Sequence, residues 1–269
     1  MLIMLGVLVP IIFWWASTGL VLFLVRRPPR TYGLTSLVAA GLAGFAALAV
    51  LASAGQATVL GAVTAYVAGL TLWGFLEITF LAGQFTGPNI DPCPDASSRW
   101  VQFGAGIMTS IYHEIAVIGF GVMLWVGLHD AINPVAAQTF TVLWVMRWSA
   151  KLNLFFGVPN LHEGFFPAHL AHLKSYIRKR PMNGLMPISL IGGVAALAWL
   201  LRGVFAGGEA GAASNIVTLQ ILLVATTLFL ALLEHLFLVL PVRDDRLWEW
   251  VSPDQSACVA PPAPSVSRP

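Results

Sequence analysis

Residues 2–25 read LIMLGVLVPIIFWWASTGLVLFLV and are followed at once by RRPPR, residues 26–30. An uncharged run of this length exceeds the roughly 20 apolar residues with which an α-helix crosses a hydrocarbon core. The arginines follow the apolar run and none precedes it, the reverse of a cleaved secretory signal. The run is therefore expected to persist as a first membrane span, anchored by Arg26, Arg27 and Arg30. The rest of the chain has the same character. Of 269 residues, 58% are hydrophobic and 10% charged, with a mean hydropathy of +0.81, whereas soluble domains carry about a quarter charged residues. A chain of this length holds roughly six to eight such spans and leaves no room for a large catalytic domain outside the membrane. The net charge of +2 is too small and too scattered for a nucleic-acid partner.

Apolar runs between polar or Pro/Gly-rich breaks predict seven helices, at 2–25, 34–54, 58–84, 101–128, 134–156, 184–205 and 215–240. The expected fold is all-α: a polytopic membrane bundle of seven transmembrane helices within residues 1–252. Lys and Arg alternate between connections. The first carries Arg26, Arg27 and Arg30, the third Arg99, the fifth Lys174, Arg178, Lys179 and Arg180, and the tail Arg243 and Arg246. The second and fourth carry none, and the sixth has only Arg202 at its edge. Because basic residues accumulate on the cytoplasmic side, this predicts the N-terminus outside and the C-terminus cytoplasmic. Cys93 and Cys258 then lie where thiols stay reduced, and two cysteines build neither a disulfide framework nor a four-cysteine metal site. In the fifth connection Pro167 opens a candidate interfacial helix over 167–180. Leu170, Leu173 and Ile177 form its apolar stripe, which either meets the membrane surface or packs on neighbouring spans. The Pro- and Ser-rich segment 253–269 is expected to be a disordered tail.

An ionisable side chain inside a span costs roughly 2.5–3.5 kcal/mol and needs a partner or a task. This chain has several: Glu77 in the third span, His113 and Glu114 in the fourth, Arg147 and Lys151 in the fifth, Glu234 and His235 in the seventh. All fall between mid-membrane and the predicted cytoplasmic end, so they are placed to share one polar region. Adjacent helical residues diverge by about 100°, so a single pocket holding all of them is not expected. Three carboxylates against two fixed cations nearly balance, as in an ion-pair network that joins spans.

Two functional readings compete with that structural one. Glu77, Glu114 and Glu234, with His162 and Glu163 of the fifth connection, offer imidazole and carboxylate ligands suited to iron or another divalent metal. No Glu-x-x-His or His-Glu-x-x-His motif accompanies them. Alternatively, His113 and His235 within the membrane, or His169 and His172 at its surface, present imidazoles able to ligate the central metal of a tetrapyrrole, and ten Trp with sixteen Phe supply flat apolar walls. Neither a nucleophile elbow nor a phosphate-binding glycine loop follows a strand, which disfavours hydrolase and nucleotide-dependent chemistry.

Several stretches are specific. WWASTG at 14–19 with RTYG at 30–33, LWVMRWSAKLN at 143–153, GVPN at 157–160, KSY at 174–176, RPMN at 180–183 and LEHLFLVLP at 233–241 together resemble the PuhE family, photosynthetic complex assembly proteins of phototrophic bacteria. The resemblance spans the chain to about residue 252. It implies an integral protein of the bacterial inner (photosynthetic) membrane that assists assembly of the reaction centre and core light-harvesting complex, with their polypeptides as partners, and that binds or delivers bacteriochlorophyll. The alternative is a metal-dependent membrane oxidoreductase or hydroxylase acting on a tetrapyrrole, carotenoid or quinone. The resemblance carries over no catalytic residues.

Overall fold

The computed structural model describes residues 1–95, 98–160, 167–206, 212–242 and 244–251. Their secondary structure is helical: α1 (Leu2–Val25), α2 (Tyr32–Ser53), α3 (Val59–Leu81), α4 (Arg99–Met108), α5 (Ile111–Gly127), α6 (Val135–Phe156), α7 (Leu185–Ala206) and α8 (Ala212–Phe237), with short 3₁₀ helices at Pro29–Thr31, Ala168–Tyr176 and Asp244–Val251. The predicted tail 253–269 lies outside the described residues.

Five helices, α1, α2, α3, α7 and α8, are long and apolar enough to cross a membrane, and α4 with α5 makes a sixth if the bent pair counts as one span. α6 is as long as the others, but Gln138, Arg147, Lys151 and Asn153 leave it short of that hydropathy. It is instead enclosed, packing against α3 and α8 and also touching α5 and α7. α1 lies on α8, α2 on α3, and α7 on α8.

The fourth predicted helix, 101–128, is not continuous. α4 and α5 meet at 66° across Thr109 and Ser110. The cause is the loop after α3, which runs against the break: the Thr86 carbonyl accepts from the Tyr112 and His113 amides, and the Asn89 amide donates to Met108 O. A Cβ on Gly87 would stand 1.9 Å from Met108 O, so only glycine lets the loop pass so close. The break puts Glu114 in the first turn of α5, where the helix dipole favours a carboxylate.

Contacts between connections sort them into two ends. At one end the Tyr32 ring meets that of His169 at a tilt, Cys93 N–H donates to Ser175 Oγ, Asn160 N–H donates to Leu238 O and Trp15 Nε1 donates to Leu247 O. This joins the first, third and fifth connections and the segment after α8. At the other end Asn133 bridges Ser53 O and Gly61 O at 3.1 and 2.9 Å, and Gln220 reaches Ile132 O. The predicted amphipathic α-helix at 167–180 takes a different form. A 3₁₀ helix with a kink at Leu170 covers Ala168–Tyr176, and beyond it Lys179 bridges Val158. Leu170 and Tyr176 are buried.

The motifs that carried the family resemblance tie this end together. Asn183 Nδ2 donates to the carbonyls of Asn153 and Gly157 at the end of α6, while its Oδ1 accepts the Leu185 and Met186 amides at the start of α7. Asn153 Nδ2 donates to Ser149 O and Ser189 Oγ, and Asn160 Nδ2 donates to Phe237 O. Unfilled helix-end groups in a bilayer find no water, and these amides fill them.

A charged cavity between α3, α5 and α6

Register between α3 and α6 is set by size. Gly69 abuts Ala136 so closely that an added Cβ would lie 2.9 Å from the Ala136 carbonyl oxygen. Four residues on, Trp73 meets Phe140 edge to face at 5.3 Å. Four further, Glu77 meets Arg147. Residues spaced by four lie on one helix face, so the close approach at Gly69 aligns the ion pair two turns away.

Arg147 holds Glu77 through two hydrogen bonds, Nε to Oε1 at 2.5 Å and Nη2 to Oε2 at 3.3 Å, and reaches Glu114 Oε1 at 3.5 Å. Lys151, one turn along α6, donates to Glu114 Oε1 and to Ser110 Oγ, the latter at 3.0 Å. The side chain of Glu114 is 6% exposed, that of Arg147 16% and that of Lys151 32%. Two carboxylates and two cations thus form one neutral cluster. The ring of Phe80 lies 5.1 Å from the Arg147 guanidinium carbon.

Above the cluster is a cavity of about 380 Å³. Its floor is Glu77, Glu114, Arg147, Lys151 and Ser110. Phe80, Phe103, Trp148 and Phe155 form the aromatic walls. Leu173, Tyr176 and Ile177 from the 3₁₀ segment roof it, so the apolar stripe predicted for 167–180 turns toward the bundle. The roof is fastened to α4 and its preceding loop: Tyr176 Oη donates to Asp91 O and accepts from Asn89 Nδ2, and Arg178 Nη2 donates to Gln102 Oε1. Burial raises the Tyr176 hydroxyl above its ordinary pKa, with the Asn89 hydrogen bond opposing. Burial likewise raises the Cys93 thiol, partly offset by Arg178.

The remaining predicted residues do not join the cluster as ligands. His113 is fully buried against Phe80, with ring centroids 4.8 Å apart. Its Nε2 lies 4.0 Å from Glu77 Oε1, too far for a hydrogen bond, and neither ring nitrogen has a hydrogen-bond partner among the described residues. His235 is engaged at both nitrogens, with Ala231 O at 2.9 Å and Ser149 Oγ at 3.0 Å. Glu234 lies apart on the α1 side, accepting from Trp14 Nε1 at 2.7 Å. His169 contacts Leu81 O, and His172 sits half-buried in the 3₁₀ segment. His162 and Glu163 lie outside the described residues. Among the described residues no three His, Cys, Asp or Glu side chains come together to hold a metal ion.

Sequence reasoning did not select Trp148, Phe80, Phe103, Phe155 or Tyr176, which make the walls and roof. The signal for Trp148 lay in plain view, within the RWSAK block between the two cations. Its indole N–H is buried without a hydrogen-bond partner among the described residues.

A family model described as "Protein of unknown function (DUF3623)" matches residues 1–258. The chain belongs to the DUF3623 family. The match continues somewhat past residue 252, where the sequence resemblance stops. This DUF3623 member is similar to a Rhodobacter capsulatus protein named "Uncharacterized 30.4 kDa protein in puhA 5'region", with 37% identity over 268 residues, covering 96% of this chain and 94% of the relative. No solved structure matches.

Proposed function

We propose that this protein is a seven-span inner-membrane assembly factor for the photosynthetic reaction centre and core light-harvesting complex. Its cavity holds bacteriochlorophyll, through the tail or one edge of the ring, or another lipid-soluble cofactor of that complex. The observation that carries the reading is the relative in the puhA 5' region, alike over nearly the whole of both chains. The PuhE resemblance implies the same setting. Supporting it is a cavity that combines aromatic walls with a polar floor, the composition of a site for an apolar ligand with a few polar anchors.

In this reading α6 is the seventh span, its charges matched by α3 and α5. The end that carries the cavity is cytoplasmic, with the N-terminus outside, because the connections gathered there hold the basic residues. The cavity's 380 Å³ lies near the lower end of the about 300–1,000 Å³ typical of drug-sized ligands, which is why only part of a tetrapyrrole enters. The metal-dependent oxidoreductase reading draws on Glu77, Glu114 and Glu234 with His162 and Glu163, and among the described residues no three such side chains come together.

The test is deletion of the gene in a phototrophic host. Near-infrared absorption of the membranes should show a deficit of reaction centre and core antenna that the intact gene restores. The tagged protein should co-purify with pigment or with polypeptides of the complex. An unchanged spectrum in the deletion strain would end the proposal.

A further inference from the structure

The cluster below the cavity is balanced. Glu77 and Glu114 stand against Arg147 and Lys151, linked in the order Glu77, Arg147, Glu114, Lys151. A charged head group arriving on this floor would leave one charge uncompensated away from water, which is costly. A neutral head group leaves the balance intact. The floor therefore selects against fatty acids, free-acid pigments and cationic amphiphiles.

Hydrogen-bonding capacity narrows the choice further. An ammonium carries three donors, and Lys151 gives one to Ser110 and one to Glu114. With a third of its side chain exposed and the residue lining the cavity, one N–H remains for a ligand. Trp148 also lines the cavity, and its buried N–H has no partner among the described residues. Residues 148 and 151 stand one turn apart on the same face of α6. The Trp148 N–H is shut off from the cavity, so the donor that calls for an acceptor on the ligand is the remaining N–H of Lys151. The walls around it include Phe80, Phe103 and Phe155, which suit a flat ring.

We propose that the cavity binds a neutral amphiphile whose head is a single flat ring bearing carbonyl acceptors, a prenylquinone-type molecule, with Lys151 donating to a ring oxygen and the tail leaving between helices. This deepens the reading of the cavity as a site for a lipid-soluble cofactor and rests on that reading. One ring with its carbonyls and first isoprene units suits 380 Å³. A whole tetrapyrrole macrocycle overfills it.

The full-length protein in phosphatidylcholine nanodiscs is titrated with three probes of matched tail length: decylubiquinone, decanoic acid and decyltrimethylammonium. Binding is read by tryptophan fluorescence and calorimetry against empty nanodiscs. The quinone should bind at one saturable site, at least tenfold tighter than either charged probe, a comparison that needs no variant. The paired change Lys151→Met with Glu114→Gln keeps the floor neutral while removing the donor, and should weaken quinone binding at least tenfold. Ala150→Phe, which fills the cavity and leaves every charge in place, should abolish it.

Equal or tighter binding of a charged probe would overturn the proposal, as would full quinone affinity in either variant or no saturable quinone binding at all. Bacteriochlorophyll occupying the site while decylubiquinone does not would overturn the ligand class but leave the assembly role standing. The deletion phenotype tests that role separately.

Discussion

Replacing Arg147 by Met isolates the central claim about the cluster. The substitution keeps an unbranched apolar stem in place of the guanidinium and removes two hydrogen bonds to Glu77, at 2.5 and 3.3 Å, and the longer one to Glu114 at 3.5 Å. Lys151 still serves Glu114, so the burden falls on Glu77, whose side chain is only 20% exposed. Leaving one partner of a buried pair uncompensated costs about 3–5 kcal/mol. The lower figure applies here, since both groups border the cavity, and about 3 kcal/mol corresponds to roughly two decades in the unfolding equilibrium. Adding Glu77→Gln to Arg147→Met restores neutrality, so the double variant should recover most of the loss. Reversible unfolding by SDS in mixed micelles, followed by circular dichroism, gives the four corners of the cycle, with a coupling of about 1.5–3 kcal/mol expected. A neutral single variant, or a double variant no more stable than the single, would refute the reasoning that the pair is joined and shielded from water.

Three further outcomes follow from other parts of the fold. On α3, Gly69→Ala should destabilise by about 1–3 kcal/mol through overpacking against the Ala136 backbone; Gly74→Ala, which meets nothing within 4 Å, should stabilise slightly, and the same SDS titration compares them. Asn183→Ala removes four hydrogen bonds joining the end of α6 to the start of α7 and should lower thermal stability by about 1–3 kcal/mol. Asn183→Asp, which keeps the two acceptor bonds, should fall between it and wild type. The third outcome concerns pH. Burial lowers the His172 pKa from 6.5, aided by the charge of His169 and opposed by Asp91 and by the hydrogen bond to the His169 backbone. Because the docked 3₁₀ segment favours the neutral ring, its docking should be complete above about pH 6.5 and weaken as pH falls below it. Hydrogen exchange of residues 168–176 at pH 5 and 7.5 should show faster exchange, corrected for intrinsic rates, at the lower value, and His172→Gln should remove the difference.

Helix positions were legible because a bilayer tolerates little else. The predicted runs 2–25 and 134–156 coincide closely with α1 and α6, since apolar length and its charged or Pro/Gly breaks are imposed by the membrane itself. The bend between α4 and α5 was not legible. Residues 107–111 read Ile-Met-Thr-Ser-Ile, with no proline, and the break is imposed by a loop from 20 or so residues upstream in the chain that supplies the carbonyl of Thr86 to the first amides of α5. In the site, insertion cost alone selected Glu77, Glu114, Arg147 and Lys151, and they do converge. It selected Glu234 on the same ground, yet Glu234 turns to Trp14, because which face of α8 meets α1 is decided by tertiary packing and not by the period of one helix. Trp148 was missed because an aromatic side chain in a membrane helix is ordinary. Only its unpartnered N–H beside a cavity sets it apart.

α6 shows how a helix too polar to cross a membrane by itself can still be drawn into such a bundle. Judged alone it falls short of a membrane helix, since Arg147 and Lys151 would each cost roughly 2.5–3.5 kcal/mol at the centre of a lipid-exposed helix. Judged in place it is among the most enclosed elements, with α3, α5, α7 and α8 around it. Its cations meet Glu77 of α3 and Glu114 of α5, two helices made earlier in the chain, whose carboxylates carry the same penalty with the opposite sign of charge. Neither set is tolerable without the other, so the charges that make α6 a poor span by itself are what require it to be recruited to α3 and α5. The same requirement leaves a neutral polar floor inside an apolar shell, and so the device that joins α6 to α3 and α5 also builds the site.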